Sequence, residues 1–218
     1  MTSAAVGARR APRRDAEENR TALLDAATIA LGSDPDASLE AIAAAAGLSR
    51  RAVYGHFANR DELVAASVAR GAVRLSDATA GIERDDARVA LALLGARLWD
   101  SVEQVRVLAS LAVRGPSLAV VGEALAPVRA RLHAIVTAGA ASGALRDDIP
   151  VDSLSRLIEQ AAIAVLIEAT ESGFTRDDGH RLVMLVALST AGLSWREANA
   201  LIDATPELHH PLPEDSTR

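Results

Sequence analysis

Arg50, Arg51, Tyr54 and His56 fall within one short stretch, RRAVYGH at 50–56, directly after Ser49, and each of these side chains carries a hydrogen-bond donor. Arginine suits two tasks: its planar fork pairs bidentately with O6 and N7 of guanine, and it clasps a phosphate. Ser49, Tyr54 and His56 have single donors better matched to phosphate oxygens, which set register without reading sequence. The chain has only five aromatic residues, and Tyr54 and Phe57 both lie here. In a helix, Val53 and Phe57 share an inward face, which leaves Arg51 and Tyr54 outward with Arg50 in the first turn. A lone arginine pair is usually a solvated helix face, so the chemistry depends on the elements that hold it.

Ser38 is followed by Leu39, Ile42 and Ala43, a hydroxyl N-cap ahead of an apolar stripe at helical spacing, and this second helix ends near Ala45. Ala46, Gly47 and Leu48 make a compact turn, and Ser49 caps a third helix that runs to about His56. Asn59 caps a fourth, with Glu62, Leu63, Ala66 and Arg70 along it. A first helix fits 16–31, where Leu23, Leu24, Ala27 and Leu31 repeat on one face before Gly32 and the SDPD run stop it. Two short helices joined by a glycine-containing turn are what a helix-turn-helix requires, because they must cross steeply around a few small apolar contacts. Ala43, Ala46 and Leu48 supply those contacts.

The rest of the chain reads as longer helices at 86–112, 117–142, 152–172 and 177–203, with breaks at Gly115-Pro116, Asp147 to Pro150 and Gly173. Pro127 is placed to split or kink the second of these. The β-branched residues show no period-two alternation, so the fold class is all-α. The opening arm to about Asp15 and the tail from Pro206 have the composition of unstructured termini. The arm reads either as a solvated terminus or as a minor-groove or phosphate arm.

Half of the 218 residues are hydrophobic, enough to bury a sizeable core. The absence of cysteine excludes disulfides, thiolate metal sites and cysteine nucleophiles, and suits a cytoplasmic protein. The longest apolar run, AAIAVLI at 161–167, is too short to span a bilayer, so no membrane partner is expected. A net charge of −6 opposes a polyanion partner, but residues 1–75 hold ten arginines against nine acids while residues 76–218 hold thirteen against twenty. Only the amino-terminal segment can face phosphate comfortably. Two competing classes are a helical-bundle enzyme and a purely protein-binding helical module. Against the enzyme, the sequence has no HExxH, GxSxG, P-loop or GxGxxG pattern, and His209 and His210 fall in the tail without a rigid frame. No catalytic residue, metal or cofactor is assigned.

The runs LLDAATIAL, SLEAIAAAAGLS and SRRAVYGHFANRDEL together resemble the amino-terminal signature of TetR-family transcriptional regulators over about 45 residues, YGHF with its following Asn-Arg being the most specific part. The resemblance implies an N-terminal three-helix DNA-binding domain with a helix-turn-helix and a C-terminal helical domain for ligand binding and dimerisation. The corresponding divisions are an arm at 1–15, a head at 16–62, a body at 63–205 and a tail at 206–218. The resemblance further implies that Tyr54 and His56 contact phosphates, that Arg60 stands where family members commonly have a phosphate-binding lysine, and that Ser38 caps its helix beside the DNA backbone. Arg50 and Arg51 are then the candidates for base reading. Three departures stand out: Ala52 replaces a commonly hydroxylated residue, the junction from Gly32 to Ala37 is shorter than usual, and Gly55 removes a side chain from the third helix. The implied function is a ligand-responsive repressor, or an activator with the same head, acting as a homodimer on a pseudopalindromic double-stranded operator. Two heads on a twofold axis read more bases than one.

For the body, the resemblance implies an effector pocket and a dimer built by the last two long helices. Trp99, Arg114, His133 and Glu159 are polar or aromatic groups among largely apolar helices, and they are the candidates for lining a pocket for an unknown small molecule. Leu154, Leu157, Ile158, Ala161, Ala162, Val165 and Leu166 form one apolar stripe; Leu182, Leu185, Val186, Ser189 and Leu193 form another. The two stripes either extend past the monomer core into an intersubunit seam, with Leu157, Ala161, Leu182, Leu185, Val186 and Ser189 as its candidates, or both face the monomer core.

Overall fold

The computed structural model describes residues 10–34, 36–102, 123 and 125–209, and every regular element among them is a helix. In the head, α1 spans Arg10–Ser33, α2 Leu39–Ala45, α3 Arg50–His56 and α4 Arg60–Ala78. In the body, α5 spans Ala87–Val102, α6 Ala126–Ser142, α7 Val151–Ser172, α8 Arg176–Thr190 and α9 Trp195–Ala204, followed by one 3-10 turn at Pro206–Leu208. No helix among the described residues is long and apolar enough to cross a membrane.

Side-chain caps start the three helices that matter most to the head. The Ser38 hydroxyl accepts the Ala41 N–H at 3.1 Å, the Ser49 hydroxyl accepts that of Ala52 at 3.2 Å, and the Asn59 amide oxygen accepts that of Glu62 at 2.9 Å. Each satisfies a donor that the helix itself leaves without a partner. Gly47 turns the chain from α2 to α3 at φ 69°, and the Leu48 N–H closes the turn onto the Ala43 carbonyl at 2.9 Å. Leu23, Ala27, Leu31, Ile42, Val53, Phe57 and Leu63 fill the core of the head, against which Leu125 of the body also packs. Arg70 ties α4 to α1 through the Asp25 carboxylate and the Thr21 carbonyl.

Within the body, α5 is the central element, packed along α8 and against α4 and α6. Every residue from Ala90 to Ala96 is buried; a helix apolar on all sides has to be surrounded. Gly179 lets α5 and α8 approach closely, because a Cβ there would sit 1.8 Å from a ring carbon of Trp99. The Trp99 indole N–H donates to the Arg176 carbonyl at 2.9 Å in the first turn of α8.

The elements differ from the sequence expectation at the arm, in the last body helix and at the start of the tail. The arm expected to be unstructured to about Asp15 is helical from Arg10 on. The single helix expected over 177–203 is two, because the chain turns at Gly192 (φ 111°) and Ser194 with Glu197 forms a reciprocal capping box that starts α9. Of the two roles expected of Pro127 the structure shows the split: α6 starts anew at Ala126 after the turn at Leu125, and Pro127 lies in its first turn, where its missing N–H removes no bond. The start of the expected tail is docked: Leu208 is 1% exposed in the body core, and Arg84 grips the Glu207 carboxylate at 3.0 and 3.1 Å. Residues 103–122 and 210–218, which include the expected ends of two body helices and the rest of the tail, lie outside the described residues.

Candidate nucleic-acid interface and effector cavity

Val53 is fully buried and Phe57 is 2% exposed, so α3 is pinned to the head core by one face, with the Arg20 guanidinium 5.2 Å from the Phe57 ring centroid. The opposite face is necessarily outward. Ser49, Arg50, Arg51 and Tyr54 are exposed there, and His56 is half-buried in the last turn. Because the Ser38 and Ser49 hydroxyls already accept a backbone N–H, each retains a proton to donate outward. Arg60 sends its Nε–H to the Ala37 carbonyl at 2.9 Å, which fastens the start of α4 beside the Ser38 cap.

A residue that sequence reasoning did not single out joins this surface. Glu40, in the first turn of α2, accepts the Tyr54 hydroxyl at 2.9 Å and lies 3.3 Å from an Arg50 guanidinium nitrogen. The Tyr54 hydrogen bond, then its own backbone N–H and the Arg50 charge, hold its carboxyl below the ordinary value of 4.5. These contacts gather Ser38, Arg50, Tyr54 and Arg60 around the start of α2. No local spacing rule reveals Glu40, since its partners lie on another helix and meet it only through the crossing of α2 and α3.

Behind the head, a cavity of about 220 Å³ opens between α4, α5, α6, α7 and α8. Its walls are mainly apolar, with Val68, Ala72, Leu91, Leu94, Val128, Leu132, Ile158 and Val183 among the lining residues. Thr28 of α1 and Ser67, Gly71, Arg74 and Leu75 of α4 also reach it. Arg129 and Glu159 contribute a charge pair to the wall, joined at 2.7 and 2.8 Å, and these bonds hold the guanidinium more firmly protonated.

Two of the four effector candidates, Trp99 and Glu159, line this cavity. His133 does not: its side chain is 50% exposed and bonds Asp152 at 2.9 Å. Leu132 takes the inward position of α6, and the next residue points roughly 100° away around the helix. Arg114 lies outside the described residues. Sequence reasoning missed Ser67, Arg74 and Arg129, whose polar types alone give no sign of the face they occupy.

The α7 stripe is divided, with Leu154, Ile158, Val165 and Leu166 buried in the body. In α8 the buried face is Val183, Met184, Ala187 and Leu188, none of them in the expected stripe, whose members are half-buried or exposed. Leu157 is 49% exposed, Ser189 is exposed, and Ala161, Leu182, Leu185 and Val186 are half-buried. Among the described residues, no group of histidine, aspartate or glutamate is arranged to hold a metal ion.

Residues 23–67 match the model of a family described as bacterial regulatory proteins, tetR family. A comparison with curated proteins gave no match. Among solved structures, the chain is similar to the fatty acid degradation regulator FadR from Bacillus halodurans at 16% identity and a TM-score of 0.68, over 79% of this chain and 94% of that one. FadR from Bacillus subtilis, solved in complex with stearoyl-CoA, aligns at 17% identity and 0.66, over 79% and 97%. SmeT, the repressor of the Stenotrophomonas maltophilia multidrug efflux pump SmeDEF, aligns at 20% identity and 0.64, over 89% and 97%. At these identities the likeness is one of fold, and the family match is confined to the head. The helix-turn-helix head thus matches the tetR-family model over residues 23–67, and the chain shares the helical fold of these solved structures.

Proposed function

We propose that the chain is a ligand-responsive repressor that binds a pseudopalindromic operator as a homodimer in the cytoplasm, and that an apolar small molecule entering the body cavity releases it. The observation that carries this reading is the wall shared by head and cavity. The helix that begins at Arg60 beside the DNA-facing residues lines the cavity with Ser67, Val68, Ala72 and Leu75. A ligand that fits better when α4 is displaced would therefore shift the population away from the DNA-competent arrangement. The stearoyl-CoA complex of the Bacillus subtilis regulator supports an apolar effector, as does the lining. Arg129 with Glu159 offers a polar anchor for one end of it.

On the DNA side, Arg50 and Arg51 read bases, while Ser38, Ser49, Tyr54, His56 and Arg60 hold the backbone. The exposed parts of α7 and α8, with Leu157, Ala161, Leu182, Leu185, Val186 and Ser189, form the dimer seam. Residues 16–62 act as the DNA-binding head, and 63–205 act as the sensing and dimerising body.

The test starts with the duplex that the protein enriches from a random pool. Arg51→Ala should weaken that duplex by about 1–3 kcal/mol while changing random-sequence DNA much less. Titration with medium- and long-chain acyl compounds should then weaken operator binding in step with their binding to the protein. Saturation of the cavity without any change in operator affinity would defeat the coupling.

A further inference from the structure

A carboxylate stands among the donors of α3. Glu40 accepts the Tyr54 hydroxyl and faces Arg50, and Arg50 in turn lies over the Tyr54 ring, 5.6 Å from its centroid. A phenol has one proton to donate. While Tyr54 gives it to Glu40, it cannot give it to a phosphate, which is an acceptor only, so the two bonds exclude each other. Arg50 has further donors, but the carboxylate 3.3 Å away offsets its charge. An ionised carboxylate on this surface also repels phosphates within a reach of about 10 Å at ordinary salt.

We propose that Glu40 is a specificity-determining residue that acts as a gate. It withholds Tyr54 and Arg50 from the phosphates of DNA of arbitrary sequence, and where the groove offers its carboxylate a replacement donor it releases Tyr54 to the backbone and Arg50 to the bases. The amino groups of cytosine N4 and adenine N6 are the donors a major groove presents. On any other sequence, releasing Tyr54 leaves the carboxylate unpaired beside phosphates, which costs binding energy. Glu40 therefore lowers random-sequence affinity more than operator affinity. This inference rests on reading α3 as the DNA-contacting helix.

The experiment measures binding of the full chain to a random-sequence duplex and to the pool-enriched duplex across a salt series. It compares the wild type with Glu40→Ala, Glu40→Gln, Tyr54→Phe and the Glu40→Ala/Tyr54→Phe double variant. Glu40→Ala should tighten random-sequence binding by about two- to fivefold, the size of an exposed charge-pair effect. The slope of log K against log salt should steepen by about 1 as Arg50, freed of the carboxylate, neutralises a phosphate of the random duplex. Operator affinity should gain less, so the ratio of the two falls, and Glu40→Gln, which keeps an acceptor but loses the charge, should lie between. With Tyr54→Phe already in place, removing Glu40 should gain less, because the released hydroxyl is gone. Equal changes on both duplexes, or an equal gain with and without the Tyr54 hydroxyl, would overturn the gate while leaving the regulator reading intact. A wild-type chain that binds neither duplex would instead overturn both.

Discussion

Gly47, in the turn between α2 and α3, has φ 69°, a left-handed geometry that places the Cβ of an L-residue against its own backbone. Gly55, inside α3, has no such requirement: its φ is not positive, and a Cβ there would meet nothing within 4 Å. Alanine at the two positions should therefore have opposite effects. Gly47→Ala should destabilise the protein by about 1–2 kcal/mol, and Gly55→Ala should stabilise it by about 0.5–1 kcal/mol by removing backbone entropy from the unfolded chain. Urea unfolding of the two variants checks both signs. A loss of stability in Gly55→Ala would mean that α3 does not continue as a helix through that position.

Among the described elements, α5 and α8 share the most extensive contact, and their approach depends on one missing methyl group. With Trp99 2% exposed and its ring lying where a Gly179 Cβ would be, Gly179→Ala must push the indole away and break its bond to the Arg176 carbonyl. The expected cost is about 1–3 kcal/mol, read as a lowered thermal midpoint. Since Trp99 also lines the cavity, the same variant should alter effector affinity. The junction of α8 and α9 answers to pH instead. Hydrogen bonds from Ser194 hold the Glu197 carboxyl below its ordinary 4.5. A carboxyl with a lowered folded-state pKa stabilises fully above its unfolded value, and that contribution is lost as pH falls through the folded value. The junction should thus loosen below about pH 4.5, with no change between pH 6 and 8. Hydrogen exchange at the N–H groups of α9 measures this, and Glu197→Gln, which removes the titrating carboxyl, should abolish the acid-dependent step.

At the scale of the whole molecule, α4 is the member held by both halves. Arg70 fastens it to α1, while Arg131 donates to the Thr79 hydroxyl at 2.8 Å and Arg97 to the Ala80 carbonyl at 3.1 Å just beyond its end. Displacement of α4 by a filled cavity would thus be felt in the head and in the body. On the proposed function, the excess of acids over arginines in residues 76–218 would turn the body from DNA and favour approach by the head. The proposed function also requires a dimer. Leu157 is half exposed and serves no monomer core, so Leu157→Arg should leave the fold intact yet place two like charges across a twofold seam. Sedimentation should show a shift from dimer to monomer, with operator affinity falling far more than the affinity of a single head for random DNA. A dimer unchanged by the substitution would move the seam elsewhere.

Local rules carried the reading furthest in the head. Ser38, Ser49 and Asn59 each cap the helix expected of them, Gly47 makes the expected turn, and the spacing of Val53 and Phe57 set which side of α3 faces outward. All of that depends on contacts a few residues apart. The same rules explain the body poorly, because Ala, Leu and Val recur on several faces and periodicity cannot say which neighbour each face meets. The split of 177–203 at Gly192 and the burial of Leu208 in the body core are two consequences of that. What the sequence by itself determined is the helical class, the capped helix-turn-helix and the outward donors of α3, each through local hydrogen bonding and helical spacing. Tertiary structure alone decided that Glu40 meets Tyr54, that Glu159 rather than His133 faces the cavity, and that α4 joins head to cavity, because each depends on how distant helices cross and pack.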